Sequence, residues 1–327
     1  GMMRLSKIWS SLILASVLMV GGFGLAYADV LKISEGSGQL VTTLALAQDG
    51  DIIKLDPGIY KGNFILDKSI KLLGQKGVTF DGQGVGTVIK IVAPDVTVFG
   101  IYIIGSGSDH EKSDSGIFID KFADRAHVEN NFLEGNLIGV YVWGQQDAKV
   151  IHNKIIGRRD HRINSRGNGI YVWNAPGAYV AYNDISYGRD GIFVNASKNN
   201  RFIGNRFENL RFAVHYMYTH DSEVSDNVSI NNHAGYSLMF SDRLIVKHNY
   251  SYGDKEHGFL LNYANKSQFE ENKVVKSANK CVFIYNSNHN VFRGNWFEGC
   301  AIGIHFTGGS ESNIMSGNTF LNSQNQV

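Results

Sequence analysis

The chain has 327 residues, of which 43% are apolar and 19% are charged, a balance typical of a folded protein and not of a disordered or collagen-like chain. Thirty-one basic residues against 30 acidic residues leave a formal net charge of +1, so no bulk positive field would hold the chain on nucleic acid. Thirty-seven glycines and three prolines favour many tight turns and argue against long helical bundles.

Residues 1–28 have the pattern of a secretory leader. Arg4 and Lys7 precede an apolar stretch, and Ala26-Tyr27-Ala28 matches a small-residue cleavage site. Glycines interrupt the apolar stretch, which is shorter than the ~20 residues that a membrane span needs. We therefore expect cleavage before Asp29 and export to a bacterial periplasm, a compartment in which disulfides persist.

The region from residue 29 to residue 115 predicts an irregular beginning of a β-rich fold. Residues 39–48 space their apolar side chains as a helix does, and we expect this short helix to cover an open sheet edge. Three strand-turn groups of unequal length follow, and a polar loop over 106–115 ends the region.

From residue 116 onward, a unit of about 22 residues repeats along the chain. The units begin at Gly116, Gly139, Gly169, Gly191, Ala213, Gly235, Gly258, Cys281 and Gly303. An asparagine follows each start by 14 or 15 positions, at Asn131, Asn153, Asn183, Asn205, Asn227, Asn249, Asn272, Asn295 and Asn318. These asparagines are 22 or 23 residues apart, except for 30 residues between Asn153 and Asn183, which predicts an inserted loop near residues 158–166.

The repeat predicts a right-handed parallel β-helix, an all-β solenoid of the pectin-lyase-like type. One unit of short strands cannot bury an apolar face, but stacked copies can. Asparagine tolerates left-handed backbone geometry at a turn, and its amide can bond to the copies above and below. We expect a single domain over 29–327, regular from residue 116, with a further C-terminal segment beyond this chain.

Strand alternation separates the side chains of each unit into two faces. The first and third residues after each start are apolar in nearly every unit and are predicted to face the core. The second and fourth are predicted to face outward, where Tyr141, Trp143, Tyr171 and Trp173 form an aromatic stripe suited to binding a partner. Alternatively, these rings stack on one another or lie under neighbouring loops.

The inserted loop GRRDHRINSRGNG concentrates arginines on one protruding segment. Arg158, Arg159 and Arg162 are candidates for docking to an acidic protein or phosphate surface, because guanidinium groups bind both. The alternative is an ordinary solvated loop.

Histidine and methionine recur further along the outward face. Met217 and Met239 occupy the same position in consecutive units, and His215 precedes Met217 by two residues on the same strand. With His233 they offer soft thioether and imidazole donors, which suit Cu(I). Such methionine pairs also serve as simple packing residues.

Cys281 takes the glycine position of its unit, and Cys300 lies three residues before the next start. Their proximity along the rod allows a disulfide in an oxidising compartment. Two buried free thiols are an equal alternative, and a thiolate metal site is a third.

A polysaccharide-binding or polysaccharide-modifying protein is the alternative functional class. Glycoside cleavage needs paired carboxylates, and Asp124, Asp147 and Asp190 recur at turn positions where aspartate is common for backbone reasons. The sequence contains no DPHD, GHG or RIK string of the related enzymes, so we predict no catalytic residues and no enzymatic activity.

Several runs resemble one family closely. They are DISYGRDGIFVN (184–195), NRFENLRFAVHYMYTHDSEVSDNVS (205–229), DKEHGFLLNYAN (254–265) and KCVFIYNSNHNVFRGNWFEGC (280–300). They are similar to the NosD family, periplasmic accessory proteins of nitrous-oxide reductase maturation. The likeness is densest from 169 to 320 and includes variable turn positions.

The resemblance implies a non-enzymatic role in copper handling. Proteins of this family work with an ABC transporter made of NosF and NosY, and supply copper, or sulfur, to the reductase NosZ. The copper lipoprotein NosL hands copper to them. By this resemblance we expect transiently bound copper, as Cu(I), and no nucleic-acid partner.

Overall fold

The computed structural model describes residues 29–34 and 36–323 of the chain. The predicted leader over 1–28 lies outside the described residues. The described chain winds into a right-handed parallel β-helix of about 13 coils, as the repeat predicts. In this part of the chain no helix is long and apolar enough to cross a bilayer.

Each complete coil contributes one short strand to each of three parallel sheets. The strands of the first sheet are Val30–Ile33, Ile52–Leu55, Lys71–Leu73, Thr97–Phe99, His127–Glu129, Lys149–Ile151, Tyr179–Ala181, Arg201–Ile203, Glu223–Ser225, Ile245–Lys247, Gln268–Glu270, Val291–Arg293 and Ile314–Ser316. The strands of the second sheet are Phe64–Leu66, Ile89–Ile91, Ser115–Ile119, Ile138–Trp143, Ile170–Trp173, Asp190–Lys198, Phe212–His220, Ala234–Met239, His257–Asn262, Lys280–Tyr285 and Ile302–Thr307. The strands of the third sheet are Gly58–Lys61, Val78–Asp81, Tyr102–Ile104, Phe132–Glu134, Lys154–Ile156, Asp184–Ser186, Arg206–Glu208, Val228–Ile230, Tyr250–Tyr252, Lys273–Val275, Trp296–Glu298 and Thr319–Leu321.

One short helix, α1 (Ser37–Leu46), lies at the N-terminal end of the solenoid, close to the predicted position 39–48. Its apolar side chains Leu40 and Leu44 are buried in the common core. The ammonium group of Lys68 donates hydrogen bonds to the carbonyl oxygens of Leu44 and Ala45, at 3.1 and 2.8 Å. A basic group at this end satisfies carbonyls that the helix leaves without partners.

The second sheet aligns the units in the register that the repeat predicts. Val214 pairs with Ile192 on one side and with Tyr236 on the other. The residue after each start is at most 2% exposed in all nine units, and so packs in the core as predicted.

The asparagines form a continuous ladder along the rod, which is buried from Asn131 to Asn295 and partly exposed at Asn318. Asn205, for example, donates from Nδ2 to Oδ1 of Asn227 at 3.1 Å, and its backbone N–H donates to the same oxygen at 2.8 Å. Nδ2 of Asn205 also donates to the carbonyl of Val180 at 2.9 Å. Each amide thus joins neighbouring coils and satisfies backbone groups that burial would otherwise leave unpaired.

The left-handed backbone position lies one residue before the predicted one. The residue preceding each ladder asparagine has a positive φ, for example 55° at His152 and 58° at Tyr182. The ladder asparagines themselves keep ordinary φ values. Asparagine is required here for its amide, which must donate and accept between coils, and not for its tolerance of left-handed geometry.

The inserted loop lies between the strands Lys154–Ile156 and Ile170–Trp173, where the long spacing predicts it. It contains a short 3₁₀ turn, Ile163–Ser165. The Arg158 guanidinium anchors the loop, because it donates to the carbonyl oxygens of Gly135 and Gly107 and to the hydroxyl of Ser108.

Candidate functional site

The outer face of the second sheet carries the candidate site. The predicted aromatic stripe is largely covered by its own stacking, which was the alternative that the sequence left open. Ring centroids are 4.3 Å apart for Tyr141–Tyr171 and 5.8 Å apart for Trp143–Trp173. Tyr141 is only 7% exposed, and burial raises the pKa of its hydroxyl well above the usual range. The two tryptophans and Tyr171 keep part of their edges open.

The ring stack continues to His215. Phe193 contacts the imidazole edge-on at a centroid distance of 5.0 Å, and Phe212 contacts it from another side at 5.1 Å. His215 is 8% exposed as a result. The next unit places Ser237 at this position, so the row of rings ends at the histidine.

A buried carboxylate orients the imidazole of His215. Asp190 Oδ2 lies 3.2 Å from His215 Nδ1, and Arg211 binds both Asp190 oxygens through Nε and Nη2, at 2.8 and 2.7 Å. Burial pushes the pKa of Asp190 upward, but the hydrogen bonds from His215 and Arg211 outweigh it and leave the pKa below its usual value. Asp190 is therefore an ionised acceptor.

The orientation leaves the other imidazole nitrogen without a hydrogen-bond partner among the described residues. A carboxylate can only accept, so the neutral imidazole carries its hydrogen on Nδ1 and its lone pair on Nε2. Nε2 of His215 is buried and has no hydrogen-bond partner among the described residues. Metal-binding histidines commonly have this arrangement, in which a carboxylate holds the far nitrogen.

Met217 and Met239 lie beside this imidazole on the outer face. They are direct neighbours in adjacent strands, and both are partly exposed. Two further buried oxygens on this face, Ser237 Oγ and Asn262 Oδ1, also lack partners in the described chain. We use the name His–Met patch for His215, Met217 and Met239. Its donors are one imidazole nitrogen and two thioether sulfurs, which fit copper as soft ligands.

His233 is not part of the patch. It lies at the exposed N-terminal end of the strand Ala234–Met239, six residues before Met239 and so about 20 Å away along an extended strand. Its side chain lines a groove beside the inserted loop, together with Arg166 and Lys255.

The roles of Asp190 and Arg211 in the site were not predicted from the sequence, which indicated Asp190 only as a turn aspartate. Alternation predicts that the residue before a unit start faces the core. In the structure that residue shares the outer face with the second residue after the start, as Ile138 and Tyr141 also do. The start residue Gly191 has no partner in the strand pairing, although its neighbours do: Asp190 pairs with Phe212, and Ile192 pairs with Val214. This break in alternation brings Asp190 to His215.

The arginines of the inserted loop have different surroundings. Arg158 is held by the contacts described above and is half-buried, and burial lowers its pKa. Arg159 lies over the ring of Tyr187 at 4.8 Å. Arg162 is exposed and makes no ion pair within the described chain.

The remaining predicted residues have structural contacts. Cys281 and Cys300 are joined in a disulfide with a Cα–Cα distance of 5.6 Å, and both are buried. Asp124 accepts a hydrogen bond from the backbone N–H of Gln146 at 2.9 Å, which is a turn contact. Among the described residues, no group of three or more His, Cys, Asp or Glu side chains is placed to hold a metal ion. The His–Met patch differs in kind, because two of its donors are thioethers.

Comparison with known proteins places the chain in one family. The family model described as "Periplasmic copper-binding protein (NosD)" matches residues 151–327. The "Probable ABC transporter binding protein NosD" of Stutzerimonas stutzeri is 38% identical over 309 residues, which is 90% of this chain and 71% of that protein.

Two solved structures show the same fold at low identity. A surface adhesin of Streptococcus pneumoniae, PfbA, aligns with a TM-score of 0.74 at 11% identity, over 89% of each chain. A polygalacturonase from Erwinia carotovora aligns with a TM-score of 0.58 at 14% identity, over 93% of this chain and 95% of that one. These likenesses concern the fold alone.

Fold and family match together define the class, a parallel β-helix protein of the periplasmic copper-binding kind. Within that class, the chain belongs to the NosD family.

Proposed function

We propose that this protein carries copper, as Cu(I), on the His–Met patch and passes it on during assembly of the copper centres of nitrous-oxide reductase. The observation that carries the proposal is the buried, unpartnered Nε2 of His215, held by Asp190 beside two neighbouring methionines. An unpaired buried nitrogen costs stability unless something binds it, so its presence favours a ligand.

The patch suits a cargo that must leave again. Thioethers are neutral, soft donors, and Met217 and Met239 are partly exposed, so an acceptor protein can reach the metal and replace one ligand at a time. Asp190 fixes the orientation of the imidazole, and the side chains of the patch are only partly exposed to solvent. A closed cage of thiolates would retain the ion instead.

The partners in this proposal are those of the family that the chain resembles. The proposal includes NosL as the copper donor, NosZ as the recipient and the NosF/NosY transporter as the membrane partner. The relative from S. stutzeri is named a transporter binding protein, which supports a transporter contact. Trp143, Tyr171 and Trp173 offer ring edges for such contacts, and Arg159 and Arg162 offer positive charge. The buried ring of Tyr141 would support that of Tyr171, against which it packs.

Copper titration tests the patch. The mature protein and the Met217→Leu/Met239→Leu variant are titrated with Cu(I) against a coloured chelator. Leucine keeps the side-chain volume and removes both sulfurs, so folding is retained. We expect the double variant to bind Cu(I) at least about tenfold more weakly, because two soft ligands are lost.

The matched control is Met315→Leu, which changes an exposed methionine of the first sheet far from the patch. It should bind Cu(I) as the unmodified protein does. Unchanged stoichiometry and affinity in the double variant would remove the patch from consideration.

A further inference from the structure

A concave surface lies beside the inserted loop, at the N-terminal ends of the strands that carry the His–Met patch. Arg211 is one of its lining residues and also binds Asp190 of the site described above. It is a groove of about 520 Å³ between the 3₁₀ turn Ile163–Ser165 and the turns of consecutive coils. Its basic lining residues are Arg166, Arg211, His233 and Lys255. None of the described residues that line it is acidic.

The two arginines are held rigidly and keep unused donors. Arg211 binds Asp190 through Nε and Nη2, and Arg166 binds the backbone carbonyls of His161 and Arg159 through the same two nitrogens. In both residues Nη1 has no protein partner within the described chain. Rigid guanidinium groups lose little entropy when they bind a carboxylate.

The other two basic residues are free. Lys255 and His233 are exposed, and neither forms an ion pair with any described residue. Arg166 and Lys255 therefore carry positive charge that no acidic lining residue compensates, inside a groove where field lines concentrate. Asp190 balances the charge of Arg211, which contributes its free Nη1 as a hydrogen-bond donor.

We infer that this groove binds a short, extended, acidic segment of a partner protein. The groove passes consecutive coils that are about 4.8 Å apart, so it runs along the rod axis for roughly three spacings. An extended peptide places alternate side chains on one side about every 6.7 Å, which lets two or three carboxylates reach basic groups along the wall. Tyr187, which is partly exposed, provides an apolar contact for the peptide.

The walls favour a peptide over a membrane. The inserted loop rises on one side of the groove, so a flat bilayer surface would touch its rim and not its lining. Arg159, stacked on Tyr187, adds positive charge at that rim. The inference goes beyond the copper proposal and does not rest on it.

The test measures binding of a fluorescein-labelled peptide of four glutamates flanked by glycines, by fluorescence anisotropy with the mature protein. The same peptide with four glutamines is the ligand control. We expect the glutamate peptide to bind at least tenfold more tightly than the glutamine peptide. The His233→Glu/Lys255→Glu variant should reduce its binding by at least tenfold, because both residues are exposed and folding does not depend on them.

The control variant Lys149→Glu/Gln268→Glu alters net charge by the same amount on exposed positions of the first sheet. It should change binding less than twofold, which separates the groove from a general charge effect. Equal binding of both peptides, no binding, or an unaffected groove variant would overturn the inference. Binding of phosphatidylglycerol vesicles with no peptide binding would overturn it in favour of a membrane.

Both arginines and the His–Met patch stay intact in these variants. A negative peptide result therefore leaves the copper proposal standing, and a negative copper titration leaves the groove standing.

Discussion

At the scale of single residues, the protein contains polar groups whose burial lowers the free energy of unfolding and which the fold alone does not need. His215, Asp190 and Arg211 form a hydrogen-bonded network on an outer sheet face, beside the rings of Phe193 and Phe212. Burying charge is unfavourable unless every group is paired. His215 Nε2 is one of several buried polar atoms that lack a partner among the described residues, and it is distinguished by Asp190 at its far nitrogen and by the neighbouring methionines.

Asp254 gives a residue-scale prediction about pH. It is fully buried, and burial raises its pKa to about 6, although hydrogen bonds from Ser251 and Ser229 act in the opposite direction. The folded state thus holds this proton more tightly than the unfolded state, whose pKa is near 3.8. Stability should be greatest while the carboxyl is protonated and should fall as the pH rises from about 4 to about 6.

Asp254→Asn should remove that loss, because an amide keeps the accepting oxygen for the backbone of Asn232 and carries no charge. We expect the variant to be more stable than the unmodified protein near pH 7, by on the order of 1–3 kcal/mol, and less dependent on pH. Urea unfolding at a series of pH values measures this. Asp67→Asn, at an exposed position, is the control. Destabilisation by Asp254→Asn at pH 7 would contradict the account.

At the scale of elements, the repeat allowed most of the fold to be predicted. Nine aligned units predicted the parallel strands, their register and the inserted loop, because identical positions in stacked coils must meet their own copies. The break at each unit start in the alternation of side chains between the two sheet faces could not be predicted, because a glycine at that position is also compatible with an ordinary strand. At Gly235 an added Cβ would lie 2.4 Å from the carbonyl oxygen of Gly258, so this position is set by close packing between coils.

Removing one ladder amide should weaken the rod locally. In Asn227→Ala, the backbone N–H and Nδ2 of Asn205 lose their acceptor, and the carbonyl of Phe202 loses its donor. We expect a loss of roughly 3 kcal/mol, because each unpaired buried group costs about 1–3 kcal/mol. Urea unfolding followed by circular dichroism measures the loss.

Hydrogen exchange should show where the weakening lies. Amides of the coils next to residue 227 should exchange faster, and coils before residue 131 should be unchanged, because each coil contacts only its neighbours. Asn164→Ala, at an exposed loop position, should leave both measurements unaltered. A uniform increase along the chain would contradict the nearest-neighbour account.

At the scale of the whole molecule, the rod separates functions along a rigid scaffold. About 13 coils at roughly 4.8 Å per coil give a length near 60 Å. The methionines of the His–Met patch and His233 of the basic groove lie at opposite ends of the same strands, about 20 Å apart. Arg211 of the groove is nevertheless linked to His215 of the patch through Asp190. A partner held in the groove would leave the patch accessible to a second protein.

The sequence predicted that His215, Met217 and Met239 share the outer face of the second sheet, and the structure has them there, whereas His233 lies at the other end of its strand. The repeat spacing predicts which residues of neighbouring coils are aligned. It does not bring together residues at the two ends of one strand. His233 and Met239 are close in the sequence and far apart in space, because an extended strand separates them. Nε2 of His215 could be identified as the unpartnered nitrogen only from the structure, because Asp190, which binds Nδ1, belongs to the preceding coil.

The most direct test is anomalous scattering at the copper edge from crystals of the mature protein loaded with Cu(I). The account predicts a single dominant peak within bonding distance of His215 Nε2 and the sulfurs of Met217 and Met239. A dominant copper peak elsewhere, with these three side chains unliganded, would contradict it.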